Sequence, residues 1–468
     1  MIEKNIKINL PKEVEFIIDT LEKYRYEAYA VGGCVRDSLL NRIPHDWDIT
    51  TNAKGEQVIK IFKSLGYNVV ETGIKFGTVT VFINYIGYEI TTYRVDGDYL
   101  DGRHPDKVEF TNNLKEDLSR RDFTINAMAY NNKVGLVDYF NGIEDLKNKV
   151  IKSVGDPIKR FSEDALRMIR AVRFSAQLDF QIESNTKEAI KKLSSNIKNV
   201  SMERIREEFN KILLSPNPCK IRELNEYGIL QSFLPEYDVC KNTEQNNPYH
   251  IYNLGEHLIC SLDSGGRLID LKGRFISDFQ NENDEIPVKL TMILHDIGKP
   301  KCKTTDDKGV DHFYGHEKIS SNMAKDILKR LKYDNKTIDK VTSLIKYHHY
   351  PIENKKNIKR LLSKIGTELF IDLLKVKEGD IRAQNPIFFE KRYEKIVNAK
   401  KFLEKILKED ECFTLKDLAI NGKDLIDLGY KNGKSIGKTL NMLLELVLEN
   451  PELNKKEELI KYIKKEES

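Results

Sequence analysis

Two aspartates one residue apart, Asp46-Trp47-Asp48, form the first chemistry-bearing pair in the chain. On a β-strand, residues i and i+2 project from the same face, so the two carboxylates are expected to stand side by side. Like charges that close repel unless a cation neutralises them. Mg²⁺ held by one or two carboxylates and by substrate phosphates is the natural occupant, and a pair of such ions suits in-line transfer at phosphorus. Glu89, in the β-rich run Tyr88 to Tyr93, is the candidate third carboxylate. Upstream lies Val31-Gly32-Gly33-Cys34-Val35-Arg36-Asp37, a β-like run that turns into a helical one. Gly32 and Gly33 let the backbone approach a ligand, the helix start offers N–H groups to an anion, and Arg36 is placed to clamp a phosphate. Each motif alone is ordinary: a solvated acidic loop, a plain strand–turn–helix. Together they read as a nucleotide-phosphate site.

A second constellation lies downstream. Seven of the nine histidines fall between His250 and His349. His295-Asp296-Ile297-Gly298-Lys299 follows an apolar run, with His257 upstream and His312, His316, His348, His349 and Asp380 downstream. Adjacent His-Asp with outlying His and Asp on other helices resembles the HD-domain phosphohydrolases. Mixed imidazole and carboxylate donors suit a divalent metal that activates water. His257, His295, Asp296 and Asp380 are the expected metal shell, with His316 and either His348 or His349 completing a second ion. The identity of the metal stays open. His250 and His312 are expected to be structural.

A third feature is the run Phe161 to Phe174, read as one helix begun by Ser162 and the acidic residues after it. Asp164 and Arg167 are then surface neighbours at i and i+3. A carboxylate only accepts and a guanidinium only donates. That pair matches the amino group and ring nitrogen of cytosine or adenine and mismatches uracil and guanine, at the cost of unpaired polar groups. Arg170 and Arg173 continue a basic stripe. By itself the pair is an ordinary helix ion pair.

In order and spacing, Gly32-Gly33-x-x-Arg36-Asp37, Asp46-x-Asp48, Arg120-Arg121-Asp122-Phe123-Thr124-Ile125-Asn126-Ala127 and Glu163-Asp164-x-Leu166-Arg167-x-x-Arg170 resemble the bacterial-type (class II) tRNA nucleotidyltransferases. These are the CCA-adding enzymes, with poly(A) polymerases as close relatives. The likeness spans about residues 10 to 235, and Ile420 to Leu425 in the tail is also similar. The resemblance implies that Asp46 and Asp48 hold catalytic Mg²⁺, that Gly33 and Arg36 contact the triphosphate, and that Arg121, Asp122 and Asn126 contact nucleotide phosphate or ribose. It gives Asp164 and Arg167 the base-selecting role. It further implies tRNA, CTP and ATP as partners. In the resembled family the loop between Thr92 and Phe110 is retained where adenosine is added, so deleting Tyr99 to Arg103 is expected to abolish AMP addition and spare CMP addition. HD domains appended to such enzymes are associated there with phosphoesterase action, for example on 2′,3′-cyclic or 3′-phosphate ends.

The elements that position these residues follow from patterning. The fold class is α+β. Residues 1–150 mix β-rich runs with glycine turns and helical stretches (Lys12 to Tyr24, Glu56 to Leu65), a small mixed-sheet domain, which the resemblance implies is a nucleotidyltransferase head of the polymerase-beta-like kind. Residues 151–240, opening at Asp156-Pro157, form a helical neck. Residues 245–385 are the histidine-rich, mostly helical HD-like domain, with Ser261 to Pro287 read as a loop or insertion. Residues 390–468 form a Lys/Glu-rich helical tail, interrupted by Asn432-Gly433 and Gly437. The chain has 468 residues, 40% hydrophobic and 32% charged, enough for real cores. No apolar run reaches the ~20 residues of a membrane helix. The opening residues show no signal-peptide pattern, and six scattered cysteines suit a reducing compartment, so a cytoplasmic setting without membrane attachment is expected. A net charge of +4 requires any RNA to bind a local basic surface. Lys191-Lys192, Lys355 to Arg360 and Lys431 to Lys438 are candidates, although such runs are more often solvated faces.

The expected function is template-independent CCA addition to tRNA by two-metal nucleotidyl transfer. An A-only enzyme or a poly(A) polymerase is the alternative within the class, separated by CTP incorporation. A metal phosphohydrolase with an RNA-binding nucleotidyltransferase-like part, or a noncatalytic RNA scaffold, is the alternative outside it.

Overall fold

The computed structural model of the chain describes residues 2–97, 108–264, 268–269, 275–276, 282–409, 412–431 and 433–466. Residues 99–103 and the Gly265-Gly266 pair therefore lie outside the described residues. The chain divides into two compact units, residues 1–233 and 234–468.

The first unit is built on an eight-stranded sheet. Its strands are β1 (Ile2–Glu3), β2 (Ala28–Val31), β3 (Ile49–Thr51), β4 (Asn68–Gly73), β5 (Thr78–Ile83), β6 (Ile86–Thr92), β9 (Met128–Asn131) and β10 (Gly135–Asp138), in the order β1-β10-β9-β2-β3-β6-β5-β4; β7 (Arg94–Asp96) and β8 (Val108–Phe110) form a separate pair. β2 is buried along its whole length, which explains its unbroken run Ala-Tyr-Ala-Val. β3 pairs antiparallel with β2 and parallel with β6. Helix α1 (Lys12–Lys23) buries Val14, Ile17, Ile18 and Leu21, an i, i+3, i+4, i+7 stripe, and leaves its lysines outside. Helices α2 (Gly33–Leu39), α3 (Gly55–Ser64), α4 (Leu114–Ser119) and α5 (Gly142–Lys147) complete the head. A core of Tyr29, Val31, Tyr93, Leu118, Ala127 and Val137 ties the central strands to α4 and its flanks.

The helical part of this unit starts where Asp156-Pro157 predicts. Asp156 caps α6 (Pro157–Glu163) by accepting the Ile158 N–H at 3.0 Å. The run Phe161 to Phe174 is not one helix. The chain breaks at Asp164 (φ −143°, ψ 104°) and restarts as α7 (Leu166–Leu178), so Ser162 lies inside α6 and initiates nothing. Helices α8 (Ser184–Leu193), α9 (Met202–Leu213) and α10 (Ile221–Glu226) pack this neck.

The second unit is almost wholly helical: α11 (Glu236–Lys241), α12 (Leu254–Ser264), α13 (Glu282–Leu294), α14 (His316–Arg330), α15 (Asn335–Tyr347), α16 (Lys355–Arg382), α17 (Phe389–Lys408), α18 (Gly422–Asp427), α19 (Gly433–Glu449) and α20 (Lys456–Glu466). The stretch from Ser261 to Pro287 is less of a loop than its polarity suggests. α12 runs on to Ser264, and α13 begins at Glu282 and passes through Pro287. α16 kinks at Gly366 (φ 75°), where only glycine is comfortable. Gly437 does not interrupt the tail but sits inside α19, whose Leu443, Leu444 and Val447 pack with Leu425 and Leu459. Burial of that apolar stripe outweighs the ~1 kcal/mol cost of one helical glycine. The α+β class and the helical remainder agree with the sequence. All six cysteines are free, and no helix among the described residues is long and apolar enough to cross a membrane.

Candidate functional site

The acidic pair and the diglycine turn meet at the end of β2. Val31 N–H donates to the Asp48 carbonyl at 3.0 Å, and Gly32 N–H donates to the Met128 carbonyl at 3.2 Å. Gly32 has φ 84° and ψ −128°, and a Cβ there would lie 3.0 Å from Arg121 Nη1. The turn therefore needs glycine both for its backbone and for room. Asp46 and Asp48 are not on a strand as expected: β3 begins at Ile49, and both stand just ahead of it with their side chains reaching solvent. What joins them to Glu89 is the sheet. Ile49 lies beside Ile90 in the parallel β3–β6 ladder, and continuing that register sets Asp48 beside Glu89.

The three carboxylates share a field. Glu89 is raised above its ordinary range by desolvation, then by the charges of Asp48 and Asp46. Asp48 is raised by desolvation, lowered in part by the Arg121 guanidinium, and raised further by Asp46. Mutual destabilisation of anions is the signature of a site that gains by taking up a cation. Arg121 contributes the opposite chemistry. Its Nη2 lies 3.6 Å from buried Asp117, while its Nε is buried without a hydrogen-bond partner among the described residues. A free guanidinium N–H beside a backbone-open turn suits a phosphate.

Arg36 sits differently from the expected clamp. It is buried, donates to Asp37 through Nε and Nη2 at 2.9 Å each and to Asn126 Oδ1 at 2.6 Å, and lies 5.0 Å from the centroid of Phe174. Asn126 in turn donates to Asp122 at 3.1 Å, and Asp122 takes Arg170 Nε and Nη2 at 2.9 and 2.6 Å. Glu208, buried on α9, lies 3.0 Å from Arg173 Nε and 3.7 Å from Arg170 Nη1. Arg173 packs over Phe174 at 3.9 Å and Arg170 at 5.4 Å, so three guanidiniums surround one aromatic ring. Arg36, Asp122, Asn126, Arg170 and Arg173 thus form one network joining the diglycine turn to α7.

Asp164 and Arg167 do not pair with each other, because the break at Asp164 removes the helical i,i+3 geometry. Asp164 accepts the Leu166 N–H at 3.1 Å and is held by Arg204 at 2.8 Å. Arg167 bonds Glu163 at 2.9 Å and the Arg120 carbonyl at 2.9 Å. The sequence reading missed Asp117, Arg204, Glu208 and Phe174. The available signal was three arginines on the largely apolar α7, which require buried acceptors somewhere. The run Lys355 to Arg360 is not a free basic face either: Lys355 pairs with Glu409 at 3.1 Å, Lys356 with Glu449 at 2.5 Å and Arg360 with Glu445 at 2.8 Å.

In the second unit, α12, α14 and α16 and the residues closing α13 and α15 bring His257, His295, Asp296, His316, His348 and Asp380 together, all buried. Each Nδ1 faces a backbone carbonyl: His257 to Ala383 at 3.1 Å, His295 to Met292 at 2.9 Å, His316 to Phe313 at 2.7 Å and His348 to Ile345 at 2.6 Å. A carbonyl only accepts, so each Nδ1 carries hydrogen and, in the neutral ring, each Nε2 turns its lone pair inward. Asp296 Oδ2 is 3.3 Å from both His257 and His295 Nε2, and Oδ1 is 3.0 Å from His316 and 3.6 Å from His348. Asp380 Oδ1 adds a contact of 3.2 Å to His257. Asp296 Oδ1 is buried with no hydrogen-bond donor. Burial alone would lower the His295 pKa, but Asp296 and Asp380 more than reverse it, to about 10. Lys299 Nζ, 2.6 Å from Asp296 Oδ2, and the His295 proton balance this charge; with that proton displaced, the converging acceptors suit a metal cation on each side of Asp296. His349, exposed, groups with His316 and His348. His312 pairs with Asp306 at 2.9 Å. A cavity of about 630 Å³, bordered by Tyr249, Tyr314, Lys377 and Arg392, opens onto the cluster.

Comparison with known proteins places the chain in a family. Residues 28–152 match the profile described as "Poly A polymerase head domain", residues 179–241 "Probable RNA and SrmB-binding site of polymerase A", and residues 312–463 tRNA nucleotidyltransferase domain 2. The chain is 35% identical over 462 residues to the CCA-adding enzyme of Ligilactobacillus salivarius, covering 98% of both chains. It is 33% identical over 460 residues to that of Enterococcus faecalis, covering 98% of this chain and 96% of the relative. Among solved structures, the Bacillus stearothermophilus CCA-adding enzyme in complex with CTP aligns with a TM-score of 0.70 at 26% identity, over 97% of this chain and 98% of that one. The Thermotoga maritima enzyme complexed with tRNA shares the fold, with a TM-score of 0.61 at 22% identity, over 98% and 97%.

Proposed function

The chain belongs to the bacterial-type CCA-adding enzymes, which are tRNA nucleotidyltransferases, and from that premise we propose that it adds CMP and AMP, drawn from CTP and ATP, to tRNA 3′ ends without a nucleic-acid template. The observation that carries the catalytic assignment is the acidic trio Asp46, Asp48 and Glu89 beside the Gly32 turn and the orphaned Arg121 N–H, with Asp48 and Glu89 raised by desolvation and then by their acidic neighbours. That donor set fits divalent cations: Asp46 and Asp48 would hold Mg²⁺, assisted by Glu89. When bound there, Mg²⁺ supplies neutralisation of phosphate charge and polarisation of the reacting oxygens. The chain's own residues do the rest. Gly32 and Gly33 admit the triphosphate to the backbone, and Arg121 donates to its oxygens. Asp122 and Asn126 keep Arg36, Arg170 and Arg173 fixed behind it. The RNA 3′-hydroxyl attacks the α-phosphorus in line, the new O–P bond forms as the bond to pyrophosphate breaks, and the hydroxyl proton leaves to solvent or a carboxylate. Asp164 and Arg167 select the base, which requires them to face it together from their separate partners. Functionally, residues 1–150 act as the catalytic head, 151–240 as the base-selecting neck and 390–468 as a tRNA-binding tail. The expected setting is the cytoplasm.

The test supplies tRNA lacking its CCA end with CTP alone, ATP alone or both. Two additions with CTP and a third only when ATP follows support the reading. ATP incorporation without any CTP incorporation favours an A-only or poly(A) activity.

A second reading adds a hydrolytic centre in residues 245–385. Four histidines that turn Nε2 toward Asp296 favour it. Those residues fit divalent metal, which when bound supplies a Lewis acid and a more acidic water. His257, His295, Asp296 and Asp380 would hold one ion, and Asp296, His316 and His348 a second. Removal of a 2′,3′-cyclic or 3′-phosphate would free the hydroxyl that the first site needs. An Asp296→Ala protein that still hydrolyses a model phosphoester with added Mn²⁺ sinks this assignment.

A further inference from the structure

We propose that Arg204 is a specificity-determining positioning residue, whose two-pronged grip on Asp164 fixes the carboxylate that chooses the incoming base. The proposal rests on the reading of Asp164 as a base-selecting group. Asp164 occupies extended backbone between the end of α6 and the start of α7. No helical rotamer constraint holds its side chain, so its direction depends on its partners. There are two. The Leu166 N–H donates to Oδ1 at 3.1 Å, and Arg204 donates through Nη1 to Oδ1 at 3.3 Å and through Nη2 to Oδ2 at 2.8 Å. A planar guanidinium against both oxygens sets the plane of the carboxylate as well as its position. Because a guanidinium only donates, both oxygens are committed to accepting, and their remaining lone pairs can meet only donors. Cytosine and adenine present an amino donor there; uracil and guanine present a carbonyl.

Arg204 is itself held in register. It lies one turn before Glu208 on α9, and residues four apart share a helix face. Glu208 fastens that face to α7 through Arg173 at 3.0 Å. α9 therefore grips the neck at two points, the base-selecting residue and the arginine beneath it. With side chains 22% and 16% exposed, Arg204 and Asp164 form a pair sheltered from solvent yet reachable by a nucleotide. A grip of this kind has a consequence that simple support of the fold does not: loosening it changes which base is accepted.

The experiment measures kcat/KM for CTP against UTP, and for ATP against GTP, on tRNA acceptors with full-length protein. Wild type is compared with Arg204→Met, Arg204→Lys, Asp164→Ala and the exposed α9 control Glu207→Gln. Arg204→Met is expected to lower the CTP-over-UTP ratio by about 10-fold or more, mainly through KM for CTP. Arg204→Lys, which keeps the charge but not the fork, should recover part of the ratio, and it carries the test, through a loss of about 3-fold, if the methionine variant fails to fold. Glu207→Gln should match wild type. An unchanged ratio in both Arg204 variants, with kcat lowered equally for all nucleotides, overturns the proposal. If Asp164→Ala destroys discrimination while the Arg204 variants keep it, Arg204 alone is misassigned. If Asp164→Ala also discriminates normally, the base-selecting reading falls and takes this proposal with it.

Discussion

Replacing Asp122 with asparagine keeps the shape of a buried side chain and removes its charge. Asp122 takes two N–H bonds from Arg170 and one from Asn126, which itself holds Arg36. After Asp122→Asn, Arg170 keeps Glu208, at 3.7 Å, and the more distant charge of Asp164. Removing one partner of a buried pair costs about 3–5 kcal/mol. The Arg170 side chain is 32% exposed and water screens part of that loss, so the low end, about 3 kcal/mol, applies. At about 2–4 °C per kcal/mol for a unit of this size, the melting temperature should fall by about 6–12 °C. The assay is available in the native chain, because the single tryptophan, Trp47, lies in the first unit and its fluorescence follows that unit's unfolding. The pH dependence gives a sign. Burial alone would raise the Asp122 pKa, but Arg170 and Asn126 bring it below its ordinary 3.8. A lowered native pKa means stability that is fully present above the unfolded value and is lost as pH falls through the native one. The gap between wild type and Asp122→Asn should therefore hold steady from neutral pH down to about 5 and narrow below about 4. A melting temperature within about 2 °C of wild type, or a gap that persists unchanged into acid, refutes the claim that this ion pair anchors α7 to the head.

Other perturbations separate catalysis from folding. Asp48→Asn relieves repulsion within the acidic trio, so the melting temperature should stay level or rise slightly while CMP incorporation drops by about 10³-fold or more; melting and incorporation are read on one preparation. Gly32→Ala forces an alanine into a glycine-only conformation and crowds Arg121 Nη1, at a cost of about 1–3 kcal/mol, and should raise KM for CTP in steady-state incorporation. His257→Ala should reduce tightly bound divalent metal, measured by elemental analysis after dialysis, and leave CMP addition intact.

How much of this was legible beforehand depended on whether a signal was local. The β2 run, the α1 stripe and the Asp156-Pro157 helix start are local patterns, and each appears where the residues put it. Register between distant segments is not local. Nothing near Asp46 tells that β3 begins only at Ile49, or that Asp48 meets Glu89 through a parallel ladder. Arg36 has the composition of a phosphate clamp, yet Asp37 and Asn126, the latter ninety residues on, already hold it. The break at Asp164 was hidden because every residue from Phe161 to Phe174 tolerates a helix, and the competing force is Asp164 capping α7. The histidine cluster was readable as a set, since His and Asp in numbers are costly to bury without a purpose. Its geometry, with Asp296 between two pairs of imidazoles, needed the packing of five helices.

Incorporation of labelled CTP and ATP into tRNA lacking CCA, with Mg²⁺, by wild type and an Asp46→Ala/Asp48→Ala double variant of unchanged melting temperature shows whether the acidic trio beside the Gly32 turn makes phosphodiester bonds. Wild type should add two cytidines and one adenosine, and the variant none. Continued addition by the folded double variant would contradict that role.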